Sequence, residues 1–141
     1  MSVVMQSVVS LILLFIGGGI YLLFRPKSLL MFKWVDNLGL TSTVDRLRDC
    51  VSHISLGQIS TYSLPDGLWV ASYVVLVHAI VPKQHKENLL FWSFILPLIA
   101  IFFEILQGIG IIPGVFDIFD LACYLIPLII YTLYLRYEKV I

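Results

Sequence analysis

Residues 94–107 read Phe94-Ile95-Leu96-Pro97-Leu98-Ile99-Ala100-Ile101-Phe102-Phe103-Glu104-Ile105-Leu106-Gln107, and this stretch decides the fold. From Phe94 to Phe103 no side chain carries a charge. Extended upstream to Leu89, the run reaches the length of about 20 residues that crosses the hydrocarbon core of a bilayer. Glu104 then closes it, followed by Gln107 one helical turn later on the same face. An ionised carboxylate at the end of such a run costs a few kcal/mol unless it is paired, hydrated or protonated. The segment therefore predicts a membrane-spanning helix that ends in a polar site.

The rest of the chain agrees. Of its 141 residues 60% are apolar and 13% charged, against about a quarter charged in a soluble domain. Too little polar surface remains to face water, and lipid must cover the remainder. Formal net charge is zero, which leaves no electrostatic basis for nucleic-acid binding. Outward from the third span, a first span is predicted over 3–24, ended by Arg25-Pro26-Lys27. A short second span over 66–81 stops at Pro82. The third covers 89–107, with Pro97 as a kink, and the fourth covers 116–135 before Arg136-Tyr137-Glu138-Lys139. The expected fold is all-α: a four-helix transmembrane bundle forming one domain over 1–141.

Between the first two spans, Val44, Leu47, Val51 and Ile54 fall at helical spacing. They predict an amphipathic interfacial helix over 43–56, with Thr41, Ser42 and Thr43 as candidate N-caps. The N-terminal span has no basic segment before Arg25 and reads as a retained helix rather than a signal peptide. Gly17-Gly18-Gly19 suggests close helix packing. Cys50 and Cys123 fall in different environments and suggest neither a disulfide nor zinc. Five basic residues on one side against four on the other leave the orientation open.

An antiparallel bundle brings the start of the second span, the end of the third and the start of the fourth to one side. Asp66, Glu104, Gln107, Asp117 and Asp120 all lie there, with Arg46 and Arg48 of the amphipathic segment as counter-charges. Asp66 also fits a capping box begun by Ser63, and an aspartate in the first turn of the fourth helix suits its macrodipole. His53 reads as a loop histidine, and His78 as an interfacial residue on the opposite side. Trp69 and Tyr73 read as belt aromatics. Acids clustered with an amide can bind a divalent cation, hold an acid–base pair, or pair with arginines without chemistry.

The stretch Phe103-Glu104-Ile105-Leu106-Gln107, followed by Phe116-Asp117-Ile118-Phe119-Asp120-Leu121, resembles the VanZ-like family of small bacterial membrane proteins. The family's pattern is E-x-x-Q closing one span and paired aspartates opening the next. Ser63 to Trp69 resembles a variant of its second-span start. Where the family commonly has an Arg before the first aspartate, Ile112, Pro113 and Gly114 stand here, so the chain reads as a divergent branch.

The resemblance implies an envelope setting in the bacterial inner membrane. Glu104, Gln107, Asp117 and Asp120 match the family's polar positions. Glu104, Asp117 and Asp120 are the expected catalytic residues, and Gln107, with Asp66, Arg46 and Arg48 from the same side of the bundle, the expected binding residues. Whether the protein is an enzyme, and whether it uses a metal or cofactor, stays open. Membrane lipids are the expected partners, with self-association or a membrane partner protein also open and nucleic acid excluded. The expected role is handling an envelope lipid or its head group. The alternative is an accessory or scaffold subunit whose acids only pair with loop arginines.

Overall fold

The structure, a computed structural model, describes residues 2–141. It is all-helical, with no strand among those residues: α1 (Val3–Phe24), α2 (Leu30–Asn37), α3 (Thr41–Cys50), α4 (Gln58–Tyr62), α5 (Leu64–Ile80), α6 (Lys86–Gly108) and α7 (Ile118–Tyr137). Among the described residues three helices, α1, α6 and α7, are long and apolar enough to cross a membrane. The helix over the predicted second span, α5, has only 17 residues, or about 25 Å at 1.5 Å per residue, short of a hydrocarbon core of about 30 Å.

That short helix is the hub, because α5 packs against α1, α6 and α7. Val70, Val74, Val77 and Ala79 are buried on it. Val74 and Val77 join Leu89 of α6 with Leu128, Tyr131 and Leu135 of α7 in the main core. Apolar residues that the bundle leaves uncovered face outward, Phe15 at 74% exposure among them, as a lipid-facing shell requires.

Small residues set the helix spacing. A Cβ on Gly17 would stand 2.8 Å from the Trp69 indole and 3.1 Å from the Pro65 carbonyl, so glycine alone lets α1 lie this close to α5. A Cβ on Gly18 or Gly19 would meet nothing within 4 Å, and the packing reading holds for Gly17 only. On the other side of α5, a Cβ on Gly67 would stand 2.9 Å from the Cys123 carbonyl of α7. Ser10 and Ser72 add a reciprocal clamp between α1 and α5, each hydroxyl donating to the other residue's carbonyl at 2.9 Å. Such interhelical bonds contribute roughly 0.6 kcal/mol each on average.

The connection between α1 and α5 folds differently from its sequence pattern. Leu30–Asn37 is a helix of its own, and α3 ends at Cys50, followed by a turn. None of the three candidate hydroxyls caps α3; Leu40 is its N-cap. The chain arrives through a turn at Gly39 (φ +67°), and the Thr41 hydroxyl donates to Asp36 Oδ1 at 2.9 Å instead. Ser63 makes no capping bond either, since α4 runs into α5 through it. Gly110 (φ +74°) closes α6: its N–H donates to the Gln107 carbonyl at 3.0 Å and that of Ile111 to Leu106 at 3.0 Å, the two bonds of a Schellman cap.

Candidate functional site

Glu104 sits one turn before the end of α6 and is 6% exposed. Its Oε1 accepts a 2.7 Å hydrogen bond from the Asp117 backbone N–H. Asp117 is the N-cap of α7, and its Oδ1 accepts from the Phe119 N–H at 2.8 Å. Two of the N–H groups that open α7 are thus satisfied by carboxylates, one of them lent by the neighbouring helix. Asp117 and Asp120 stand at the N-terminal, positive end of the α7 dipole, and the Asp117 N–H that Glu104 binds lies there too.

Asp120, in the first turn of α7, is different. Its Oδ1 is buried without a hydrogen-bond partner among the described residues, and buried polar atoms ordinarily have one. Asp66 opens α5 nearby, within electrostatic reach of both Asp120 and Glu104. Tyr124, one turn beyond Asp120 on α7, shares the field of Asp66, Asp120 and Glu104. Gln107 lies against the following turn, where a Cβ on Gly114 would stand 2.5 Å from its Cδ.

The counter-charge comes from an unexpected place. Arg25, at the end of α1, pairs with Asp66 at 3.2 Å, and both side chains are largely enclosed, at 14% and 18% exposure. Arg25 also donates from Nε to the Thr61 carbonyl at 3.2 Å and from Nη2 to the Tyr62 carbonyl. Its guanidinium stands 4.6 Å from the Tyr21 ring centroid and 5.6 Å from that of Tyr62, within cation–π range. Trp69 extends this aromatic wall, its ring 5.4 Å from Tyr21.

Of the two loop arginines, neither forms an ion pair among the described residues. Arg48 donates from Nη1 to the carbonyls of Leu22 at 2.7 Å and Arg25 at 3.0 Å. It caps the last turn of α1, where unbonded carbonyls and the negative dipole end favour a cation. Arg46 is exposed, as is His53.

Arg25 and Tyr124 are the residues that sequence reasoning missed. The signal for Arg25 was present, because antiparallel packing brings the end of the first span beside the start of the second. Its place in an Arg-Pro-Lys stop concealed it as a head-group anchor. Among the described residues no group of three His, Cys, Asp or Glu is arranged to hold a metal ion.

What the arrangement offers chemically is an excess of carboxyl groups over cations at one end of the bundle. Two of them organise the α6–α7 turn, one is neutralised by Arg25, and Asp120 keeps an oxygen unused. No family model, no curated protein and no solved structure matches the chain.

Proposed function

We propose that this chain is a four-span protein of the bacterial inner membrane, a divergent VanZ-like protein whose acidic site holds the head group of an envelope lipid. In this reading α5 crosses as the second span, alongside α1, α6 and α7. Its 17 residues suffice because neighbouring helices, rather than lipid, cover most of its surface, and local thinning accommodates the rest. The observation that carries the function is the buried Oδ1 of Asp120, without a hydrogen-bond partner among the described residues. It is set among Asp66, Glu104 and Asp117, where among those residues Arg25 alone forms an ion pair with an acid of the cluster. An acid-rich site suits a head group that brings an ammonium or several hydroxyls, not a bare phosphate. Arg25 orients Asp66, and Glu104 and Asp117 hold the turn. Asp120 and Asp66 contact the head group, with Tyr124 beside them.

The test is Asp120→Asn in nanodiscs of mixed phosphatidylethanolamine, phosphatidylglycerol and phosphatidylcholine, with bound lipid read by native mass spectrometry. A preference of the wild type for phosphatidylethanolamine that disappears in the variant, at unchanged thermal stability, supports the head-group site. The second reading, a scaffold whose acids are purely structural, draws on the Arg25–Asp66 pair and on the capping use of Glu104. It predicts an unchanged lipid profile in Asp120→Asn. It also predicts that the swap of Arg25→Asp with Asp66→Arg regains the stability that each single change loses.

A further inference from the structure

A second polar cluster lies at the opposite end of the bundle, apart from the acids. His78, near the end of α5, is 4% exposed, enclosed by the neighbouring helices. Its Nδ1 lies 3.2 Å from the Tyr131 hydroxyl of α7, which lies 3.0 Å from Ser93 Oγ of α6. Three helices each contribute one buried side chain to this chain of contacts. The other ring nitrogen, Nε2, is buried with no hydrogen-bond partner among the described residues. A polar atom in that state lacks the compensation that burial demands.

His78 and Tyr131 also line a groove of about 470 Å³, a size typical of small-molecule sites. Its other walls are mostly apolar, with Ala71, Val74 and Val75 from α5 and Pro127 and Ile130 from α7. Along α5 it runs from Ala71 to His78, two turns or about 10 Å. The apolar part lies toward the middle of the helices. The polar part lies at their ends, where Glu138 bonds Lys83 and accepts from the Tyr134 hydroxyl at 3.0 Å. That gradient matches a lipid, with its chain inward and its hydrogen-bonding group near the interface.

We propose that this groove binds a single lipid bearing a free hydroxyl, with the chain along Val74, Val75 and Ile130 and the hydroxyl on His78 Nε2. A hydroxyl fits because it both donates and accepts, so it satisfies Nε2 in either tautomer that the Tyr131 contact permits. An ester carbonyl satisfies only one of them. Acylglycerols and long-chain isoprenoid alcohols share the required chemistry.

The test uses the full chain in phosphatidylcholine nanodiscs with three photoactivatable diazirine probes. These are a diacylglycerol, a polyprenol, and the polyprenol chain with hydrogen in place of its hydroxyl. Cross-linked residues are mapped by mass spectrometry. A hydroxyl-bearing probe should label Val75, Pro127 or Ile130 about tenfold more than the hydroxyl-free chain, the discrimination one buried hydrogen bond supplies. Whichever of the two hydroxyl probes labels more identifies the source. His78→Phe should abolish the preference. Ala71→Trp, which fills the groove and keeps the hydrogen-bonding side chains, should block labelling at unchanged helix content. Equal labelling with and without the hydroxyl, labelling spread evenly over the outward faces of α1 and α6, or capture undiminished by Ala71→Trp would each overturn the proposal.

Discussion

Removing the Glu104 side chain should destabilise the protein, even though it removes a buried carboxylate from an apolar helix. Glu104 is 6% exposed, and its Oε1 accepts from the Asp117 N–H at 2.7 Å. A hydrogen bond to a charged acceptor contributes about 1.5–3 kcal/mol, and a carboxylate at a helix N-terminus about 0.3–1 kcal/mol more. Glu104→Ala loses both and orphans a backbone donor, for an expected cost of about 2–4 kcal/mol. Glu104→Gln keeps a neutral acceptor in the same place and should cost about 1 kcal/mol. The opposing effect is desolvation of the carboxylate, which both substitutions relieve. The order of stability therefore decides which effect wins: wild type above Gln above Ala if the bond dominates, Gln above wild type if desolvation does. Equilibrium unfolding of purified protein in dodecyl maltoside, titrated with sodium dodecyl sulfate and followed by circular dichroism, measures this order. Amide exchange at Asp117 should also accelerate in Glu104→Ala. A Gln variant at or above wild-type stability, or an Ala variant equal to wild type, refutes the capping role.

The remaining predictions concern packing, strain and pH. Gly17→Ala should cost about 1–3 kcal/mol by overpacking against Trp69, whereas Gly18→Ala and Gly19→Ala, with open space around them, should be neutral or gain up to roughly 1 kcal/mol; thermal unfolding of the three variants in one detergent compares them. Lys139 holds the left-handed conformation at φ +55° while Val140 bonds back to Leu135 at 2.9 Å, so Lys139→Gly should stabilise by about 1 kcal/mol in the same assay. Glu138, beyond the end of α7, is held below its ordinary value of 4.5 by its hydrogen bond to Lys83 and then that from Tyr134. A depressed carboxylate stabilises fully above its unfolded value and loses that contribution as pH falls through the folded one. Thermal stability should therefore drop below pH 4.5 by a small increment that is absent in Glu138→Gln.

The membrane character was legible in the chain because solvent acts on composition, and long apolar runs have few other solutions. The convergence of Asp66, Glu104 and Asp117 on one side was legible too, since antiparallel connectivity and short turns determine which helix ends adjoin. Neither route says which atoms meet. Whether Asp66 caps its own helix or pairs with Arg25 depends on how closely α1 approaches α5, and Gly17 and the Ser10–Ser72 clamp decide that only when both helices are in place. Arg48 was expected as a counter-charge to the acids, and the last carbonyls of α1 take it instead. That His78 is enclosed could not be read from its place near a helix end, because burial there depends on whether neighbouring helices extend past it, and here α6 and α7 do. The sequence by itself determined the solvent of this protein and the side on which its acids gather. Tertiary packing decided which acids cap, which pair and which is left with an oxygen free, because those outcomes turn on ångström-scale helix spacing that no periodicity encodes.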